Sequence, residues 1–170
     1  MRSLILSRLA LQRFWRALFP FAAIGLICCF SGCRTGPSLP PVNLSKPGWQ
    51  LRQGQALWRS KKKAPEIAGE VILATNTTGR AFIQFLKNPL PLLTAQISPQ
   101  GWQIEFIPEK RHFGGRGIPP KPLLWLHLLD ALQSAPLPRG IEFAKAPDGA
   151  VRIENKETGE NITLFLNESQ

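Results

Sequence analysis

From Trp49 onward the chain alternates. Apolar side chains recur at every second position in Trp49, Leu51 and Leu57, in Ile67, Gly69, Val71 and Leu73, in Ala81, Ile83 and Phe85, and in Trp102, Ile104 and Phe106. Gln53, Gln55, Gln84, Gln103 and Glu105 stand between them. A period of two marks a β-strand with one buried face, because successive side chains point to opposite sides of a sheet. Turn-forming residues separate the runs: Lys61-Lys62-Lys63-Ala64-Pro65, Thr75-Asn76-Thr77-Thr78-Gly79 and Ser98-Pro99-Gln100-Gly101. A further strand is expected over 92–97, after Asn88-Pro89-Leu90-Pro91, where two prolines are expected to interrupt pairing.

Beyond Phe106, residues 111–122 (RHFGGRGIPPKP) are dense in glycine and proline and are expected to be irregular. Pro122 then opens a Leu-rich helix over 123–133, with Pro136 beyond its end. Leu124, Leu128 and Ala131 form one stripe of that helix, and Trp125, Leu129 and Leu132 form the next. A helix that is apolar nearly all round must be covered on most sides. Ile141 and Phe143, Val151 and Ile153, and Ile162, Leu164 and Leu166 supply three more strands, giving about eight strands and one internal helix. The expected class is mainly β (α+β): a curved antiparallel sheet or incomplete barrel wrapped around the helix, because one short helix covers an apolar sheet face only if the sheet curls.

The first 32 residues differ in kind. They hold Arg2, Arg8, Arg13 and Arg16 and no acid, so four of the ten net positive charges lie there and the rest of the chain has 17 Lys+Arg against 11 Asp+Glu. An uncharged apolar run over 17–30 follows, shorter than the roughly 20 residues of a bilayer span. A basic start, a short apolar stretch and then small residues is the plan of a secretory signal. An uncleaved N-terminal membrane helix is the competing reading. Phe30-Ser31-Gly32-Cys33 resembles the bacterial lipobox, with Phe30 in place of the usual leucine. The resemblance implies a signal peptide over 1–32, cleavage before Cys33, acyl chains on Cys33 as the membrane anchor, and a mature chain of 138 residues. Arg34 after that cysteine, where family knowledge associates Asp with inner-membrane retention, favours an outer-membrane, periplasm-facing location. Residues 33–47 then form the lipidated cysteine and a Pro-rich tether.

Cys28 and Cys29 fall inside the apolar run, so the mature chain keeps no free thiol. That excludes thiol catalysis, Cys-ligated zinc and disulfides, and leaves packing to hold the domain together.

In element order and size, residues 48–167 resemble the Lol lipoprotein-carrier superfamily, whose fold is an incomplete barrel closed by helices over a hydrophobic cavity. Two features fit its outer-membrane receptor branch, the LolB-like one. These are the lipidated cysteine and the 88–92 connection, in which Leu90 matches an exposed apolar residue on a protruding, membrane-facing loop. The resemblance implies an apolar pocket for acyl chains or lipoproteins as cargo, delivered by a periplasmic carrier protein. Its expected lining is Leu57, Val71, Leu73, Ile83, Phe85, Trp102, Ile104, Phe106, Leu124, Trp125 and Leu128. Alternation defines a face without saying which face is inside. An accessory envelope lipoprotein with a filled core, binding another envelope protein, stays open as the alternative.

No residue set suggests an enzyme, a metal or a cofactor. His112 and His127 lack triad or ligand partners in sequence, and Asp130 reads as a polar neighbour of His127. Glu105 alternates outward, so the pair Glu105 and Glu109 is expected to be solvated. Residues 111–117 have glycines but not the Lys-Ser/Thr and helix of a phosphate loop; an irregular loop or a lid is expected instead. Lys61-Lys62-Lys63 reads either as a solvated hairpin tip or as an approach to anionic headgroups. Nucleic acid is excluded as a partner by export and by the scatter of acids among the remaining bases.

Overall fold

The computed structural model describes residues 38–167. The expected signal peptide, Cys33 and the first part of the tether lie outside the described residues. Nine strands form one antiparallel sheet: β1 (Trp49–Arg59), β2 (Ile67–Asn76), β3 (Ala81–Lys87), β4 (Leu90–Ser98), β5 (Gly101–Phe106), β6 (Arg111–Gly115), β7 (Ile141–Lys145), β8 (Val151–Asn155) and β9 (Asn161–Leu166). Their spatial order is β6-β5-β4-β3-β2-β1-β9-β8-β7, so β6 and β7 are the two edges. Between these edges in sequence runs the helical segment, a 3-10 turn (Leu124–His127) leading into α1 (Leu128–Leu132). The 3-10 turn touches both β4 and β8, which are far apart in strand order, so the sheet must curl around it. The fold is mainly β, a curved and unclosed sheet with a short internal helix.

The register carries one inward face across the sheet. Leu73 pairs with Ile83, Ile83 with Ala95, Ala95 with Ile104 and Ile104 with Phe113. The next row runs from Val71 through Phe85 and Leu93 to Phe106. On the other side of β1, Ala56 pairs with Leu164 and Trp58 with Ile162. Leu124, Trp125, Leu126 and Leu128 enter from the helical segment, each with no exposed surface. Each such side chain contributes roughly 1.5–3 kcal/mol of burial free energy, which makes this concave face the chief source of stability.

Three expectations need correction. Leu57, placed among the interior residues by sequence, pairs with Ala68 on the outer face, as do Leu51 and Trp49 in the same alternation. The inward residues of β1 are Gly54, Ala56 and Trp58, the parity opposite to that of Leu51 and Leu57. A Cβ on Gly54 would stand 2.1 Å from the backbone oxygen of Phe165. Residues 111–115 form β6 rather than an irregular loop; Gly115 sits under the Trp102 ring, which a Cβ there would meet at 2.7 Å. Pro91 does lie in a paired strand, opposite Leu86, where the register shifts between Phe85 and Leu86 and relieves the demand on its missing N–H.

Candidate functional site

An open cleft of about 530 Å³ lies between the start of the helical segment and the β5–β6 edge. Its apolar walls are Trp58, Trp102, Phe106, Phe113 and Leu123, and Lys61, Glu109, Arg111 and Glu160 supply its charges. Strand alternation aims these side chains. Trp102 and Phe106 lead from β5 on the inward face, Phe113 pairs with Ile104 on the same face, and Trp58 closes the inward run of β1. The Trp58 and Phe106 rings stack with centroids 6.2 Å apart, and Phe113 meets Phe106 edge to face at 6.3 Å. Arg111 holds its guanidinium 5.0 Å from the centre of the Phe113 ring while donating to Glu109, so one wall already carries a cation–π contact.

Trp58 joins the cleft to the core. Its other neighbours are Phe85 at 6.0 Å and Trp125 at 6.0 Å, both fully buried. Its indole Nε1–H donates to Oε1 of Glu160 at 2.9 Å. Glu160 is only 6% exposed. Burial pushes its carboxyl up to about 7, against the lowering influence of the Trp58 indole and the Leu124 backbone N–H. The site therefore has a carboxyl group that changes charge near neutral pH, at the base of an aromatic cleft. The indole N–H of Trp102 in the cleft wall is buried with no hydrogen-bond partner among the described residues, as is that of Trp125.

Of the residues expected to line a pocket, Trp102 and Phe106 border the cleft. Val71, Leu73, Ile83, Phe85, Ile104, Leu124, Trp125 and Leu128 lie behind it, buried and packed against one another. Leu57 borders a separate depression on the outer face with Phe165 and Lys87. Leu90 is 65% exposed at the β3–β4 turn. His127 is buried and its Nε2 faces the carbonyl of Pro120 at 3.3 Å; desolvation lowers its pKa, with Pro120 and Asp130 acting in the opposite sense. Glu105 is exposed, and Glu109 pairs with Arg111. No three His, Cys, Asp or Glu side chains converge on a metal position among the described residues, and no described helix is long and apolar enough to cross a membrane.

Sequence reasoning missed Trp58 and Glu160. The parity of Glu160 was within reach, because Ile162, Leu164 and Leu166 share it and extending it back by two positions gives Glu160, whereas its contact with Trp58 depends on β9 lying beside β1. The turn residues Glu157-Thr158-Gly159 disguised it. No protein-family model matches the chain, and no curated protein matches it.

Proposed function

We propose that this chain is an envelope lipoprotein, anchored to the periplasmic face of the outer membrane through Cys33, that takes up acyl chains in transfer or insertion of lipids or lipoproteins. The observation that carries this reading is the open aromatic cleft that adjoins the apolar core through Trp58. An acyl chain would enter between β5, β6 and Leu123 and extend toward the core as the helical segment shifts. Burial of ten methylenes would contribute about 8 kcal/mol before the cost of opening the interior. The carboxyl, ester or amide oxygen of such a ligand would find donors in Lys61 and Arg111. Leu90, exposed at a hairpin tip, suits contact with the membrane or with a lipoprotein delivered by a periplasmic carrier. The Lol-like architecture expected from sequence suits this use of the fold.

One observation favours a second reading. Leu93, Ile104, Leu124, Trp125, Leu126 and Leu128 have no exposed surface, as in a filled core whose owner binds another envelope protein without a ligand. Native lipid extraction of the purified membrane-derived protein, followed by mass spectrometry, separates the two. The carrier reading expects a noncovalent acyl lipid in stoichiometric amount; absence of any such lipid, together with no uptake of added fatty acid, leaves the filled-core reading.

A further inference from the structure

The meander turns bring lysines from three separate places in the sequence to one end of the sheet. Because β1 to β6 alternate in direction, the β1–β2 loop (60–66), the β3–β4 turn at Asn88-Pro89 and the β5–β6 turn (107–110) all lie at the same end. The first carries Lys61, Lys62 and Lys63, the second adjoins Lys87, and the third carries Lys110; all five are exposed. Arg59, Arg111, Lys121, Arg152 and Lys156 each meet a carboxylate, whereas none of these five lysines forms an ion pair among the described residues. The same end also carries Glu66, Glu109 and, in the β8–β9 turn, Glu157, but these meet Arg59, Arg111 and Lys121 and leave the five lysines in excess. The hairpin turns at the other end, 77–80, 99–100 and 146–150, bring one cation, Arg80, and one carboxylate, Asp148.

Backbone geometry sharpens the point. Lys63 has φ 66° and Lys110 has φ 51°, a left-handed conformation in which glycine or asparagine is favoured and other side chains are uncommon. Two of the five lysines thus occupy positions whose local conformation disfavours them. The first loop is also held in place, since Lys62 donates its N–H to the carbonyl of Thr158 at 3.1 Å and a Cβ on Gly159 would meet the Lys62 backbone nitrogen at 2.9 Å. The cleft opens at this same end, with Lys61 and Arg111 in its wall.

We infer that this end of the sheet is a docking surface for an anionic lipid bilayer, with Lys61, Lys62, Lys63, Lys87 and Lys110 on headgroup phosphates and the cleft mouth turned toward the membrane. The inference rests on the proposed membrane location but not on acyl uptake, since a filled core would leave the lysines where they are. Each lysine near an anionic surface is worth about fivefold in partitioning, and the attraction fades within a Debye length.

The test uses the full chain reconstituted into vesicles of phosphatidylcholine alone or with about one third phosphatidylglycerol, a fraction chosen to give a strong surface potential. Amines are modified with a membrane-impermeant reagent and the rate at each lysine is read by peptide mass spectrometry. The five lysines should react at least about fivefold more slowly on anionic vesicles. About 0.5 M salt should restore their rates. Lys145, on the β7 edge and at the other end, should be unaffected. Equal rates in the two lipids would overturn the inference, as would equal slowing of Lys145. Slowing by soluble heparin but not by anionic vesicles would also overturn it and assign the surface to a macromolecular polyanion. Lipid extraction reads cargo independently, so the failure of one proposal is distinguishable from that of the other.

Discussion

Replacing Glu160 by Gln should make the protein more stable at pH 8 and remove the loss of stability with rising pH that this carboxyl imposes. The carboxyl is 6% exposed and its pKa is raised from 4.5 to about 7 by burial. Between those two values the folded chain keeps a proton that the unfolded chain has released, so stability falls as pH rises through the window and stays lowered above it. At about 1.4 kcal/mol per pKa unit, the displacement amounts to about 3 kcal/mol. Gln retains an acceptor for the Trp58 indole and cannot ionise, but its amide group accommodates the Leu124 N–H less well than a carboxylate oxygen. Leaving such a buried donor poorly paired costs about 1 kcal/mol, so the net gain at pH 8 should be about 2 kcal/mol. In a domain of this size that is about 8 °C in Tm. His127 acts in the opposite sense, since its lowered pKa contributes stability that is lost as pH falls below about 6.5. It is present in both proteins and cancels in the difference. Urea unfolding of wild type and variant at pH 4.5, 6 and 8 reads the effect; parallel stability curves across that range would refute the account of Glu160.

Other substitutions probe the fold and the anchor. Gly54→Ala should destabilise by about 3 kcal/mol or more in urea unfolding, because the new Cβ meets backbone rather than a movable side chain. Leu93→Ala should cost about 2–5 kcal/mol, whereas Leu57→Ala on the outer face should cost under about 1 kcal/mol; equal losses would contradict the assignment of faces. Cys33→Ala should release the chain from the membrane fraction if the cysteine is the anchor, and retention there would make the apolar N-terminus the anchor instead.

Much of the sheet was legible because alternation is a direct consequence of one-sided burial. β2, β3 and β5 could be read with the correct inward residues, as Val71, Leu73, Ile83, Phe85, Trp102, Ile104 and Phe106 all pair along one face. Parity failed in β1, where the large residues Trp49, Leu51 and Leu57 drew attention away from the small inward residues Gly54 and Ala56, the first of which lies against the β9 backbone. β6 was hidden because its glycines look like strand breakers. Gly115 instead makes room for the Trp102 ring, a tertiary requirement invisible in a local window. The burial of the helical segment followed from its leucines on every side, but its length did not: it begins as a 3-10 turn without a side-chain cap and α1 ends at Leu132. The cleft was half legible through Trp102 and Phe106, while Glu160 depends on β9 lying beside β1, a pairing between chain segments about a hundred residues apart.

The claim that the cleft admits an acyl chain is tested most directly by titrating the purified protein with a fluorescent fatty acid and following energy transfer from tryptophan. The account predicts saturable transfer with one ligand per chain, competed by unlabelled fatty acid and abolished in Phe113→Glu, which places a charge in the apolar wall. Transfer that rises without saturation, or that is unchanged in the variant, would contradict it.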